Sequence, residues 1–480
     1  MPRIYINGQP VEASKEQSVL EAALANGFYI PYFCWHPQLS IAGNCRICAV
    51  QVEGRTWAEI ACNMPVTEDL KVLTDSDIVK EYRKSILQLL TLNHPVDCGI
   101  CDKAGECKLQ DYHYAHNGEP SQSRDAKVQL TKFHPLSERI VLDNERCILC
   151  TRCVRFTRQI SKSNALGVVQ RGDTSLVREA EDHPFDADPY SDNVIDLCPV
   201  GALLSRPNLY KARVWYTKAT PSVCPGCERG CTVEIWHRKP EWKLNALDPR
   251  LNTRIERVTP LENPRVNGPW ICNKGRDLAR IFERPRAESA MLKGKPVATD
   301  AAIEAARRLV EEARRPLAFV SSWASNEELD AFAQALGRRL TVRVKRDHAP
   351  QPGERLQDEL LIRPDKNPNG KAALALFAHP DDGTSALPAD ADLVLVWGEG
   401  FDFARLPRQA KTIFLHSYLA PENGHADVFI PISIQTERRG HYTNFEGVVS
   451  AFEACFPKKP AVVDAEAVFA ALTVRAEAVA

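Results

Sequence analysis

Cys147-Ile148-Leu149-Cys150-Thr151-Arg152-Cys153, closed much later by Cys198-Pro199, decides the reading of this chain. Three thiolates spaced C-x2-C-x2-C on one short stretch of backbone hold three corners of a [4Fe–4S] cube, and a more distant cysteine supplies the fourth. The pattern is not isolated. Fifteen of the sixteen cysteines lie in the first 272 of 480 residues, most of them in clusters with metal-ligand spacing. Net charge is −1, which argues against a nucleic-acid surface. No apolar stretch approaches the roughly 20 residues of a membrane helix. The start, Met1-Pro-Arg-Ile-Tyr-Ile-Asn-Gly8, reads as a strand entering a turn and not as a signal peptide. A reducing compartment is therefore expected, where clustered cysteines bind metal more often than they form disulfides.

The length calls for several domains. Asn7-Gly8 between short strand-like runs predicts a hairpin, and Ser18 to Asn26 an amphipathic helix with Gly27 at its C′ position. With the cysteine loop that follows, residues 1–78 read as a small ferredoxin-like β-grasp domain. Residues 79–92 read as a helix leading into the second cysteine group, and 116–126 as a surface loop. Beyond about residue 285 the character changes. Ala301–Ala313, with Asp300 as N-cap, and Asn326–Leu336 read as helices. They alternate with apolar strands at 317–321, 340–344, 391–397, 411–415 and 427–431. That alternation predicts an α/β domain with a mainly parallel sheet. The polar, Pro-rich stretch 348–372 reads as a loop or linker. The fold class is thus α+β and α/β, multidomain.

Four groups of ligands stand out. Cys34, Cys45, Cys48 and Cys62 form the first. The Cys45-x-x-Cys48 pair sits on a Gly/Asn-containing loop that would aim backbone N–H groups at cluster sulfurs. Plant-type [2Fe–2S] ferredoxins use C-x4-C-x2-C…C, and the ten-residue first gap here makes this a variant of that loop; structural zinc is the alternative. The second group, Cys98, Cys101 and Cys107, has only three thiols, so a cube needs another ligand. His94, four residues before Cys98, is the candidate; His113 and His116 are rivals downstream. The third group is Cys147, Cys150, Cys153 and Cys198. Arg146, Arg152 and Arg155 surround it, either to stabilise a reduced cluster or as an ordinary solvated face. Cys224, Cys227, Cys231 and Cys272 form the fourth, where a zinc ribbon competes with a [4Fe–4S] cluster. Cys455 has no local partner and reads as a buried apolar residue.

The order of these groups resembles the family of large iron–sulfur subunits of bacterial NADH–quinone oxidoreductase, respiratory complex I. The resemblance implies one [2Fe–2S] cluster in residues 1–78 and a His94/Cys98/Cys101/Cys107 [4Fe–4S] cluster in 79–118. It implies a second [4Fe–4S] cluster on Cys147/Cys150/Cys153/Cys198 in 119–214. A third, on Cys224/Cys227/Cys231/Cys272 in 215–280, is found in only some bacterial members. Cys272-Asn-Lys-Gly-Arg276 and Thr436-Glu-Arg-Arg-Gly-His-Tyr-Thr-Asn-Phe-Glu-Gly447 resemble segments of the related molybdopterin oxidoreductases, so 281–480 is read as a reduced domain of that type. No cysteine lies between Cys272 and Cys455 to ligate molybdenum, and none is expected. Trp397-Gly-Glu-Gly400 resembles a dinucleotide-contact loop without its usual small polar residues. The implied role is an electron-transfer subunit of an enzyme complex. It would draw on a flavin-bearing NADH-oxidising partner, sit among other peripheral-arm subunits and feed quinone-reducing subunits toward the membrane arm. Its place would be peripheral, on the cytoplasmic side of the inner membrane. No G-x-G-x-x-G fingerprint appears, so NADH is expected to bind elsewhere, and the resemblance implies that no quinone site lies on this chain. The rivals are an NAD-linked formate dehydrogenase subunit, a hydrogenase diaphorase and a zinc-stabilised scaffold.

Overall fold

A computed structural model describes residues 1–239 and 254–473, which divide into two compact units, Met1–Tyr216 and Thr217–Ala480. In the first unit, β1 (Arg3–Ile6), β2 (Gln9–Glu12), α1 (Val19–Ala25), β3 (Ala49–Val52), β4 (Ala58–Ile60) and β5 (Lys71–Leu73) open the chain. They form a five-stranded sheet in the order β2-β1-β5-β3-β4, with β1 and β5 parallel. Asn7 and Gly8 both take positive φ, 51° and 79°, which turns β1 directly into β2. Ser18 caps α1 through a capping box with Glu21, and Val19, Leu20, Ala22 and Ala23 pack on Ile4, Ile6 and Val50 of the sheet. Cys48 and Cys62 belong to the same core, so the first ligand group is built into it.

Next come α2 (Asp77–Asn93), α3 (Lys108–His116), β6 (His134–Pro135), β7 (Ile140–Leu142), α4 (Arg152–Gln159), β8 (Leu166–Val169), β9 (Leu176–Glu179), α5 (Asn193–Leu197) and β10 (Leu203–Ser205). The expected surface loop begins after His116, where α3 ends, and its residues are half-buried or exposed.

The second unit begins with the antiparallel sheet β11 (Thr217–Val223), β12 (Thr232–Arg238) and β13 (Ile255–Pro260). After α6 (Asn273–Arg276) and α7 (Ala279–Phe282) follow β14 (Ala290–Leu292), β15 (Lys295–Val297), α8 (Thr299–Glu312), β16 (Pro316–Ser321), α9 (Asn326–Ala335), β17 (Thr341–Lys345), α10 (Gly370–Phe377), β18 (Pro380–Asp381), β19 (Leu393–Trp397), β20 (Lys411–His416), α11 (Glu422–His425), β21 (Val428–Pro431), β22 (Gly440–Thr443), β23 (Val449–Phe452) and α12 (Ala465–Ala471). The large sheet has the order β15-β14-β21-β20-β19-β16-β17-β18, parallel from β21 to β18 with an antiparallel edge. Both faces are buried. Ala318 and Val320 of β16 join the helix-covered core, while Leu317 and Phe319 join Phe401, Phe414 and Phe429 on the other face. Among the described residues no helix is long and apolar enough to cross a membrane.

Two local expectations change. Asp300 is not the cap of α8: Ala298 is the extended residue before the helix, and Asp300 lies in the first turn, where a carboxylate still favours the helix dipole. Residues 348–372 lack a regular element before α10, as a loop would, and 349–353 are exposed, but the end of the stretch is not. Lys366, Asn367 and Asn369 are buried, and the Asn367 side-chain oxygen accepts from Ser322 Oγ at 2.6 Å and from the Asp347 N–H at 2.9 Å. Polar side chains there satisfy buried groups.

Candidate metal centres

In the first group, Cys34, Cys48 and Cys62 are almost fully buried. The loop before β3 carries Cys45 and Cys48, with Gly43 and Arg46 in left-handed conformations, φ 65° and 59°. Such alternation turns successive N–H groups inward, and it makes a concavity suited to anionic sulfur. The Cys34 N–H donates to Cys45 Sγ at 3.4 Å. The thiols couple in two pairs, Cys34 with Cys45 and Cys48 with Cys62. In each pair a hydrogen bond pulls one thiol down and pushes its partner up. Two pairs of sulfurs suit a two-iron cluster on four cysteines.

In the second group, His94 is the C-cap of α2, Cys98 and Cys101 share a tight turn, and Cys107 is the N-cap of α3. The Lys127 ammonium closes the end of α2, donating to the carbonyls of Thr91, Leu92 and His94 at 2.6, 2.9 and 3.0 Å. Burial pushes the His94 imidazole down to about 4, and its Nδ1 is buried without a hydrogen-bond partner among the described residues. A neutral ring with an orphaned nitrogen fits a metal ligand. Burial pushes the Cys107 thiol up to about 11, against backbone N–H groups of Leu109 and Gln110 that favour its thiolate. The rival histidines have other partners: His113 Nδ1 lies 3.1 Å from Asn117 Nδ2, and His116 Nε2 lies 3.0 Å from the Tyr29 hydroxyl.

In the third group, Leu149 and Thr151 take φ of 49° and 58°, so the chain coils between successive cysteines, and the Leu149 N–H donates to Cys147 Sγ at 3.4 Å. Cys153 lies in the first turn of α4, and Cys198 is the C-cap of α5. Burial, followed by neighbouring thiols of the group, pushes Cys147 up to about 12 and Cys150 up to about 11. Thiols that resist ionisation when metal-free release their protons only to a strong Lewis acid, as iron is.

The three arginines around this group are not a solvated face. Arg146, Arg152 and Arg155 are 1%, 5% and 8% exposed. Arg155 donates to the Cys34 carbonyl at 2.5 Å and to the Cys150 carbonyl at 3.2 Å, joining the first group to the third. Arg152 donates to the carbonyls of Trp35 and Leu197, reaching the same two regions. The second group adjoins the third as well. The Lys108 N–H donates to the Pro199 carbonyl at 3.0 Å, and a Cβ on Gly201 would stand 2.2 Å from Cys101 Sγ. Only glycine lets the Cys198 loop lie on Cys101 this closely.

The fourth group belongs to the second unit. Cys224 follows β11 and Cys231 precedes β12; the Cys224 N–H donates to the Cys231 carbonyl at 2.8 Å, and Cys272 is the N-cap of α6. Burial raises all three of these thiols, Cys272 to about 11. The loop between them is held from far along the chain. Glu228 N–H donates to the Asp365 carbonyl, Phe445 N–H to the Glu228 carbonyl, and Asn444 Nδ2 to the Arg229 carbonyl. The Arg229 and Arg363 guanidiniums lie 5.1 and 4.2 Å from the Phe445 ring centroid. Cys455 is half-buried, not enclosed, and its thiol hydrogen-bonds Thr220.

The large sheet reverses strand order between β16 and β19, where open α/β sheets usually bind ligands. A cavity of about 70 Å³ opens at this point, lined among others by Ser321, Trp323, Asp347, Gly398, Glu399 and His416. Lys345 and Asp347, each 1% exposed, form an ion pair there; Ser321 Oγ donates to Asp347, and Lys345 donates to the Glu399 carbonyl.

Four family models match in succession. Residues 2–77 match a 2Fe-2S iron-sulfur cluster binding domain, and 83–121 the NADH-ubiquinone oxidoreductase-G iron-sulfur binding region. Residues 137–204 match the ferredoxin-like domain of NADH-quinone oxidoreductase subunit 3, and 217–284 the molybdopterin oxidoreductase Fe4S4 domain. The chain is homologous to the large iron–sulfur subunits of NADH-quinone oxidoreductase. It is 36% identical over 275 residues to such a subunit of the Streptomyces coelicolor enzyme, covering 57% of this chain and 31% of the relative. It is 36% identical over 295 residues to the NADH-ubiquinone oxidoreductase 75 kDa subunit of Reclinomonas americana, covering 61% and 40%. It is also 35% identical over 295 residues to the NADPH-Fe(3+) oxidoreductase subunit alpha of Geobacter sulfurreducens, covering 61% and 33%. The matched stretch thus spans about a third to two-fifths of these relatives. Among solved structures, an NAD+-reducing [NiFe]-hydrogenase in the H2-reduced state is 29% identical, covering 44% of this chain and 91% of that one, with a TM-score of 0.39. Iron–sulfur binding domains of both the 2Fe-2S and 4Fe-4S kinds are therefore present, and the homologues are subunits of a multi-subunit oxidoreductase.

Proposed function

We propose that this chain is an electron-conducting subunit of an NADH–quinone oxidoreductase. Cys34, Cys45, Cys48 and Cys62 would hold one [2Fe–2S] cluster. Three [4Fe–4S] clusters would be held by His94/Cys98/Cys101/Cys107, by Cys147/Cys150/Cys153/Cys198 and by Cys224/Cys227/Cys231/Cys272. When bound, such clusters take up and release single electrons at potentials set by ligand type, hydrogen bonds to sulfur and burial. The residues of the chain bury the sulfurs, aim N–H groups at them and, at His94, replace a thiolate by a neutral imidazole, which raises the local potential.

One observation carries this reading: buried arginines and close backbone contacts join the first group to the third, and the third to the second. Three separate zinc sites in a scaffold need no such contiguity; electron exchange needs it. The lack of a cysteine between Cys272 and Cys455 favours a structural role for residues 281–480, without molybdenum. The electron donor would be a flavin-bearing NADH-oxidising subunit, and the chain would sit peripherally on the cytoplasmic side of the membrane with other peripheral-arm subunits.

Anaerobic iron and sulfide analysis with EPR tests the cofactor count. The expected content is about fourteen irons per chain. About ten irons with one zinc would reassign the Cys224 group, and stoichiometric molybdenum would overturn the conduit reading. Copurification tests the complex: a flavoprotein together with membrane-arm subunits is expected, whereas a soluble NADPH-linked partner alone would overturn the assignment to a quinone reductase.

A further inference from the structure

Arg146 stands where two of the ligand groups meet. It directly precedes Cys147, so its backbone belongs to the third group. Its side chain serves the second. Nε donates to both oxygens of the Asp97 carboxylate at 3.1 and 3.2 Å, and Nη2 donates to Asp97 Oδ2 at 2.5 Å; Asp97 immediately precedes Cys98. Asp143 Oδ2 lies 3.3 Å from Nε, and Lys132 pairs with Asp97, Asp143 and Glu145 at 3.6, 3.4 and 2.8 Å. Arg146 Nη1 is buried with no hydrogen-bond partner among the described residues. A Cβ on Gly201 would meet Cys101 Sγ at 2.2 Å and Arg146 Cδ at 3.6 Å. The arginine stem and the Cys101 sulfur therefore flank the same glycine, three residues beyond Cys198. A buried guanidinium reaches both groups through a medium that screens charge poorly.

We infer that Arg146 is a shared positioning residue: it holds the Cys98–Cys101 turn against the Cys147 and Cys198 loops, and its one charge sets the potentials of both cubes together. This rests on the assignment of [4Fe–4S] clusters to the two groups. Each added electron is a negative charge next to the same cation, so the two potentials move as a pair. Removing the cation, which leaves Asp97 and Asp143 uncompensated beside both sites, therefore lowers both potentials. Removing the Asp97 charge acts in the opposite direction.

The test is a potentiometric titration of the full chain, reconstituted anaerobically with iron and sulfide and followed by EPR. R146Q should lower the midpoints of both cubes and leave the [2Fe–2S] midpoint unchanged. R146K, which keeps the charge without the planar fork, should lower both by less. D97N should raise both. Movement of one cube alone in R146Q, or a D97N shift in the same direction as R146Q, overturns the inference. If R146Q does not retain its iron, D97N decides: both midpoints rise together if the inference holds, and a fall, or movement of one cube alone, overturns it. Wild-type protein lacking two [4Fe–4S] signals at these groups would sink the cluster assignment itself; intact signals that do not move would sink only the role of Arg146.

Discussion

Gly201 shows how little room a single position leaves. A methyl group there would occupy the space of the Cys101 sulfur, so the Cys198 loop and the Cys98–Cys101 turn cannot both keep their places. Gly201→Ala should cost about 1–3 kcal/mol of stability, the range for overpacking a filled site. It should also weaken the EPR signal of the His94 cluster while sparing the [2Fe–2S] signal; unchanged spectra and melting would show that the loops have slack. His416 is a second residue whose surroundings decide its chemistry. It is 5% exposed, and burial first, then the cations Lys345, Arg284 and Arg286, pushes it down to about 4 despite Glu399. Its folded value lies below its unfolded value of about 6.5, so the unfolded chain binds the extra proton between these limits. The stability that His416 contributes is complete above pH 6.5 and is lost progressively as pH falls to about 4, up to about 3 kcal/mol. Denaturation midpoints measured across that window should be less pH-dependent in His416→Gln; an identical pH profile would refute the assignment.

At the scale of elements, the hairpin β22–β23 braces the Cys224 loop through the turn that joins its two strands. Phe445 lies against Arg229 and Arg363, and its backbone is tied to Glu228. Phe445→Ala should destabilise the second unit by about 1–3 kcal/mol, combining lost apolar contact with lost cation–π attraction. Iron content should fall from about fourteen to about ten per chain as the fourth group loses its cluster. Retention of all the iron would show that β11 and β12 hold the loop unaided. The stretch Thr436–Gly447 was legible as a segment of interest, but not as a brace. Nothing local to Phe445 indicates that its partners lie some 80 and 215 residues away in the chain.

At the scale of the whole molecule, the large sheet buries an ion pair at its switch point, beside a cavity of about 70 Å³. Removing one member of the buried Lys345–Asp347 pair should cost about 3–5 kcal/mol, because a lone charge remains in the core. Lys345→Met combined with Asp347→Leu should recover most of that loss; a double variant as unstable as the singles would mean that the pair has a role beyond filling space. Much of this protein was legible in its sequence. The cysteine spacings are local, and each group sits on a turn or helix end that its own residues build, as with Ser18 and Glu21 at α1 or the left-handed Leu149 and Thr151 between thiols. The missing fourth thiol beside Cys98 directed attention to His94 by stoichiometry, and alternating apolar strands and helices announced the parallel sheet. The burial of Arg146, Arg152 and Arg155, the contacts that join the three groups of the first unit, and the ion pair buried at the sheet's switch point came only from the tertiary structure. The physical reason is range: spacing along the chain determines what a turn can hold, whereas the burial and pairing of a charge depend on residues that only folding brings beside it.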